Sequence, residues 1–312
     1  MKISVIGAAG TVGSCTAYTL AIQGLADEIV MIDKNENVLL NHVLDITTAM
    51  VGQKGNVSVR KGNDGDLAGS DIVIVSAGVH FEIGTPLEEN LGVNVPIIQD
   101  IFAMIERHCP EAVAIIATNP VDLLNYAAYC SVLTDKKKFI GYNLNDSIRF
   151  RMMTAEALGV EPNNVEAFVM GEHPRTLVSL FSSIKVSGKS VTLDENAKKK
   201  VGEGLRDYLR SFVALKAGRT AGWTTAAGIA TMVRAVGADA KQVFPCSAVL
   251  EGEYGLSGIC VGVPAVLGKE GVLEIPEWDL AVEERQELDQ CVETLTSSID
   301  LVRKISGKRA KR

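Results

Sequence analysis

The sequence predicts an α/β fold, a doubly wound parallel sheet followed by an α+β half with antiparallel strands. Three observations predict it. Through the first 140 residues, short continuous apolar runs alternate with helix-period segments, the pattern of a parallel sheet covered on both faces. Beyond about residue 141 the strands are shorter and Gly turns separate them. A chain of 312 residues is also long enough for about two domains at ~150 residues each.

Each element follows in order. Residues 3–6 read as a buried strand and 11–23 as a helix. Residues 29–32 form a second strand and 36–50 a second helix. Strands at 57–61 and 72–76 precede a polar, Gly/Pro-punctuated stretch at 79–86. A long helical segment then runs to about Arg107, and 112–117 is another strand. Such a sheet binds ligands at the carboxyl ends of its strands. In the second half, a helix at 145–158 leads into strands at 165–169 and 177–186, and helices follow at 195–215 and 225–236. Segments 242–250, 258–267 and 272–275 read as an antiparallel meander, and a helix at 282–304 closes the chain. The boundary is expected near residue 142, giving domains 1–142 and 143–312.

Composition narrows the function. The 31 Lys and Arg against 38 Asp and Glu give a net charge of −7, which disfavours nucleic acid as a partner because phosphate binding needs a basic face. The last ten residues run against this balance, with six cations and no acid. At 47% hydrophobic and 22% charged the chain is in the ordinary globular range. Cys15, Cys109, Cys130, Cys246, Cys260 and Cys291 stand far apart with no CxxC pair, so reduced thiols are expected and neither a disulfide framework nor a metal site is. Met1-Lys2 leads straight into a strand-like run, and no apolar run approaches ~18 residues. A cytoplasmic protein without a membrane span is the expectation.

Gly7-Ala8-Ala9-Gly10-Thr11-Val12-Gly13 follows a strand directly and opens a helix. Its glycines permit a tight turn and let backbone N–H groups approach a pyrophosphate at the positive end of the helix. Twenty residues past Gly13, Asp33 ends the second strand, where a carboxylate accepts hydrogen bonds from a ribose diol and repels a 2′-phosphate. NAD is therefore favoured over NADP.

Three further segments suggest a reaction. Thr118-Asn119-Pro120-Val121-Asp122 follows the fifth strand, Asn145-Asp146-Ser147-Ile148-Arg149 lies at a helix start, and Gly171-Glu172-His173 follows a later strand. With the glycine turn, these resemble the lactate/malate dehydrogenase family over essentially the whole chain. The GAAGTVG form is more similar to the malate branch. The resemblance implies a Rossmann-type cofactor domain, NAD, a 2-hydroxy or 2-oxo acid substrate and a homodimer or homotetramer. It implies His173 as acid–base group, Asp146 as its orienting carboxylate, and Arg149 and Asn119 as substrate contacts. Thr220 or Ala221 is then expected to touch the substrate side chain. Ala9, Thr11, Val12, Ala77, Gly78, Asn94, Thr118 and Asn119 join Gly7, Gly10, Gly13 and Asp33 around the cofactor. The chemistry suits these types: oxidising a 2-hydroxy acid needs a proton acceptor titrating near neutrality, hence histidine, and a planar guanidinium grips a carboxylate bidentately. Asn145 is an alternative to Asp146 if the register slips by one. His42 and His108 read as ordinary surface or core residues.

The chain departs from the family in one loop. Where the family has GxxRKPGMxR, this sequence reads Gly78-Val79-His80-Phe81-Glu82-Ile83-Gly84-Thr85-Pro86-Leu87, with Phe81 and Leu87 where arginines are expected and no Lys or Arg between Lys61 and Arg107. A dicarboxylate would then bury an unpaired charge, so a less polar side chain is expected. Loss of the polarising Arg removes a contribution of ~3 kcal/mol, or ~10²-fold. Arg175, two residues past His173, is a candidate replacement, against the alternative that it pairs with Glu82 or another acid on this loop and holds a lid shut; Arg219 is a second candidate. The alternatives are an ordinary malate or lactate dehydrogenase with a substitute cation, and a non-catalytic NAD-binding regulator.

Overall fold

A computed structural model describes residues 1–79, 85–216 and 220–309. The first half runs β1 (Lys2–Ile6), α1 (Thr11–Ile22), β2 (Glu28–Ile32), α2 (Glu36–Gly52), β3 (Ser58–Lys61), β4 (Ile72–Val75), α3 (Leu87–His108), β5 (Val113–Ile116), α4 (Val121–Tyr129) and β6 (Phe139–Gly141). The second runs α5 (Leu144–Leu158), β7 (Val165–Glu166), β8 (Val169–Glu172), β9 (Thr176–Ser179), β10 (Lys185–Val186), β11 (Lys189–Ser190), α6 (Glu195–Ala214), α7 (Gly222–Gly237), β12 (Gln242–Glu251), β13 (Ser257–Gly268), β14 (Gly271–Glu274) and α8 (Val282–Arg309).

Local chemistry sets the helix ends. Asn35 caps α2 by accepting from the Val38 N–H. Glu88 and Glu89 in the first turn of α3, with Arg107 and His108 in its last, oppose the helix dipole. Gly159, at φ +66°, ends α5 in the left-handed conformation that glycine adopts without strain.

Strand order β3-β2-β1-β4-β5-β6 builds the parallel part of the main sheet. Its order reverses between β1 and β4, and a ligand crevice opens at such a switch point. The sheet does not end there. Gly141 of β6 pairs with Ser247 of β12, and β13, β8 and β9 continue it antiparallel, with β14 beside β13. The expected meander therefore extends the first sheet. A small sheet, β11-β10-β7, stands apart.

Two elements carry no sequence signal. Every residue of α4 from Val121 to Ala128 is buried, Asp122 and Asn125 included; a helix enclosed on all sides has no solvent face to set off an amphipathic stripe. The other, β6, has only three residues. The strand expected at 165–169 ends early and 169–172 forms its own strand, so Gly171 and Glu172 lie in β8 and only His173 follows it. The strand expected at 177–186 breaks at a 3₁₀ turn over Phe181–Ser183. The main core covers both faces of the parallel sheet, with Ile3, Val5, Ile29, Met31, Ile72 and Ile74 fully enclosed. A smaller core around Phe150, Val165, Ile184 and Leu205 seats α6 on α5. Among the described residues, no helix is long and apolar enough to cross a membrane.

Candidate active site

At the switch point, Gly7 has φ +88°, and a Cβ there would sit 2.4 Å from the Ala77 nitrogen; one on Gly13 would sit 2.3 Å from the Gly7 oxygen. Both contacts are with backbone, so only glycine allows β1, the turn and α1 to pack this closely. Helix α1 starts with no side-chain cap and no acid in its first turn, and Gly10 and Thr11 are exposed. Its first N–H groups lack intrahelical partners and face outward as an anion cradle. Asp33 stands against this turn: its Oδ2 accepts from the Ala9 N–H at 2.9 Å and its Oδ1 from the Asn35 N–H at 2.9 Å. An open helix start beside a fixed carboxylate fits a dinucleotide that lacks a 2′-phosphate.

Along the same crevice, the ends of β4 and β5 come together. A Cβ on Gly78 would meet the Thr118 methyl at 2.5 Å, and the Thr118 hydroxyl donates to the Ala77 carbonyl at 2.8 Å. Asn119 is exposed at the end of β5 and precedes a cis bond to Pro120. Asn94 departs from the expected cofactor contact. It is fully buried; its Oδ1 accepts from the Val79 N–H at 2.8 Å and its Nδ2 donates to the Val79 carbonyl and to Asn90 Oδ1. Its amide is committed to holding the Gly78–Val79 backbone.

Across the crevice, α5 presents Asp146 and Arg149 one turn apart. Asp146 is buried, and its carboxylate bridges two partners. Its Oδ2 meets His173 Nδ1 at 2.5 Å and its Oδ1 accepts from Arg149 Nη1 at 3.0 Å. With Nδ1 committed to Asp146, Nε2 is the imidazole nitrogen left for other chemistry. Burial, the largest influence on His173, lowers its pKa, but the Asp146 charge, the hydrogen bond to it and the Asp122 charge together outweigh burial. The imidazole ends above its ordinary value. Arg149 also lies over the Tyr208 ring of α6, 5.2 Å from its centroid. Asn145 turns elsewhere, accepting from the Tyr142 hydroxyl at 2.7 Å and donating to Thr225 at 3.0 Å, which removes the one-residue ambiguity in favour of Asp146 as the partner of His173.

Arg175 does not join this cluster. Its Nε and Nη2 donate to the buried Glu172 Oε1 at 3.0 and 2.5 Å, and Nη2 also reaches Ser298 of α8 at 3.2 Å. Glu172 is fully enclosed, and an enclosed carboxylate holds a guanidinium more strongly than a crevice open to water. The substrate contact expected of Arg175 is thus replaced by an ion pair, with Glu172 as the acid. Thr220 is exposed ahead of α7, whose Gly222 packs on Thr11 of α1. Phe81, Glu82 and Arg219 lie outside the described residues, and Leu87 opens α3 half-buried against the core. Sequence reasoning missed two residues beside the cluster. Tyr208 gives no local signal. Asp122, whose Oδ2 accepts from the His173 backbone N–H at 2.8 Å, was visible only as the last letter of a motif. No group of three or more His, Cys, Asp or Glu among the described residues is arranged to hold a metal ion.

Known proteins are similar to this chain along its length. Residues 1–141 match the family described as lactate/malate dehydrogenase, NAD binding domain, and residues 144–305 match lactate/malate dehydrogenase, alpha/beta C-terminal domain. The malate dehydrogenase of Halobacterium salinarum is 35% identical over 302 residues, covering 96% of this chain and 98% of the relative. The L-lactate dehydrogenase of Halalkalibacterium halodurans is 31% identical, covering 94% and 95%. The lactate dehydrogenase of Cryptosporidium parvum, solved with lactic acid and β-nicotinamide adenine dinucleotide, superposes with a TM-score of 0.89 at 31% identity, covering 96% and 97%. Matched along both halves and similar in fold from end to end, the chain belongs to the lactate/malate dehydrogenase family.

Proposed function

We propose that this NAD-dependent oxidoreductase interconverts an L-2-hydroxy acid and its 2-oxo acid, with a substrate side chain that carries no second carboxylate. The observation that carries the reaction is the Asp146 bridge, one carboxylate joining the imidazole of His173 to the guanidinium of Arg149. Bound NAD supplies the hydride acceptor, or in reverse the donor. The chain's own residues do the rest. Arg149 grips the substrate carboxylate, which points the C2 oxygen at His173 Nε2. In oxidation Nε2 takes the hydroxyl proton, and Asp146 stabilises the imidazolium that forms; in reduction Nε2 returns the proton to the carbonyl oxygen. Asn119 hydrogen-bonds near the strand end, and Gly7, Gly10, Gly13 and Asp33 hold the dinucleotide. We take residues 1–142 as the cofactor domain and 143–312 as the substrate domain.

The substrate class rests on charge. With no Lys or Arg between Lys61 and Arg107, and with Arg175 paired to Glu172, a distal carboxylate would be desolvated without a partner from the loop or from Arg175, which leaves Arg219 as the other candidate cation. A second reading, malate as substrate, is favoured by the name of the 35% identical relative. NADH oxidation against a panel of 2-oxo acids separates the two. The apolar reading expects kcat/KM for branched aliphatic or aromatic 2-oxo acids to exceed that for oxaloacetate by about 10²-fold, the scale of one uncompensated buried charge. Preference for oxaloacetate would establish the second reading.

An oligomer is the remaining part of the proposal. Leu40, Leu44 and Val51 share one face of α2 and are 42%, 68% and 75% exposed, with Tyr18 and Ile22 exposed on the neighbouring α1. Apolar surface of this kind is usually covered. A homodimer or homotetramer is expected, so light scattering should return two or four times the chain mass; a single-chain mass would contradict it.

A further inference from the structure

Asp122 is a buried acid beside the site that the reaction above does not use. It stands in the first turn of α4 with its side chain completely enclosed. Its Oδ2 accepts from the main-chain N–H of His173 at 2.8 Å, across 51 residues of sequence. Its Oδ1 is buried and has no partner in good hydrogen-bond geometry, although the Ser247 side chain acts on the carboxyl. An acid enclosed with one oxygen poorly paired is costly unless a structural role offsets the cost.

The backbone around it supplies that role. His173 is the first residue after β8, in the turn that leads to β9, where Glu172 pairs with Thr176. The ladder pairs of β8 stop at Gly171 toward β13 and at Glu172 toward β9, and the His173 N–H beyond them finds its partner in Asp122. Three residues upstream of Asp122 is Asn119, at the end of β5. A single hydrogen bond thus ties the cofactor side of the crevice to the strand end that bears the imidazole. On the other side Glu172 is anchored to α8, its N–H donating to Cys291 Sγ at 3.2 Å and its carboxylate held by Arg175. The residue between these two anchors is His173.

We propose that Asp122 is a positioning residue for the dehydrogenase reaction: it fixes the His173 main chain against α4 and so keeps the imidazole aligned between Asp146 and the substrate. The proposal rests on the reading of His173 as the proton-transfer group. Either form of the carboxyl accepts the hydrogen bond, so the role survives titration; burial, reinforced by Glu172, pushes this acid up to about 7, against the pull of Ser247 and the His173 N–H. The charge adds a second effect. The charged groups acting on His173 are Asp146 and Arg149 of α5 and Asp122 of α4, and a negative Asp122 raises the imidazole pKa.

Two variants separate position from charge, each compared with wild type for kcat, KM, NADH affinity by fluorescence and the pH profile of 2-oxo acid reduction. Asp122→Ala removes the acceptor. A loss of about 10- to 100-fold in kcat is expected, the scale of a misplaced catalytic group, with KM and NADH affinity little changed. Asp122→Asn keeps an acceptor of the same shape. It is expected to recover most of kcat, while the pH at which reduction falls away moves down. Wild-type kcat in Asp122→Ala overturns the proposal, as does an Asp122→Asn enzyme that binds NADH normally yet is as slow as the Ala variant. Should Asp122→Ala fail to fold, Asp122→Leu, of similar size and without an acceptor, takes its place, and wild-type kcat there overturns the proposal. His173→Asn is assayed alongside: if it is inactive while Asp122→Ala is fully active, Asp122 alone loses its role, whereas an active His173→Asn removes the underlying reading.

Discussion

Replacing His173 by Asn is expected to lower kcat for 2-oxo acid reduction by about 10²- to 10⁴-fold, the usual worth of a positioned proton donor, while NADH affinity stays unchanged. The separation follows from geometry. The imidazole is held by Asp146 on α5 and the His173 main-chain N–H by Asp122 on α4, whereas the dinucleotide cradle is built from the turn after β1 and Asp33 after β2. The wild-type pH dependence has a definite sign. Reduction needs the imidazolium, so kcat/KM is full below the His173 pKa and falls as pH rises through it. Oxidation needs the neutral ring and falls as pH drops through the same value. Because the carboxylates hold that pKa above its ordinary value, the reductive limb should persist above the ~6.5 of a free histidine. Steady-state profiles in both directions check this; a reductive limb ending well below that point would contradict the assigned environment.

The second large effect is expected at Arg149. Arg149→Ala removes the group that grips the substrate carboxylate, a charge-assisted pair about twice as strong as a neutral bond. It also leaves the buried Asp146 with His173 as its one remaining hydrogen-bond partner among those described, and breaking a buried pair costs about 3–5 kcal/mol. A drop in kcat/KM of about 10²- to 10³-fold is expected, most of it in KM. Arg149→Lys keeps a charge but not the planar fork, so it should fall between Ala and wild type. A second readout separates substrate binding from general damage. Arg149 pulls the His173 pKa down, so its loss should move the reductive limb to higher pH. Unchanged KM in Arg149→Ala would place the substrate carboxylate elsewhere.

What the sequence made legible was local. The glycine turn and Asp33 are recognisable because the turn, helix start and second strand are consecutive in the chain. Asp146 and Arg149 are recognisable as a pair because three residues make one helical turn. His173 is 27 residues from Asp146, and their approach depends on how β8 is added to the sheet through β13. Only the family resemblance carried that information. Arg175 shows the limit most clearly. A linear sequence puts it two residues from His173, but the turn after β8 directs the imidazole to α5, while the Arg175 side chain, paired with Glu172, goes to α8. Asn94 was placed at the cofactor by resemblance, yet its amide is bound to Val79 and Asn90. Helix α4 escaped notice because it is buried all round, and Asp122 went unweighed because its value lies in a contact 51 residues away.

The most direct test uses NADH deuterated at the transferable C4 position, the wild-type enzyme and a 2-oxo acid with an apolar side chain. NMR of the product should show one deuterium at C2 of the L-2-hydroxy acid for each NADH consumed. Tight NADH binding without turnover of any 2-oxo acid, mono- or dicarboxylate, or deuterium found in the D-product, would contradict the assignment of Asp146, Arg149 and His173 as the working site.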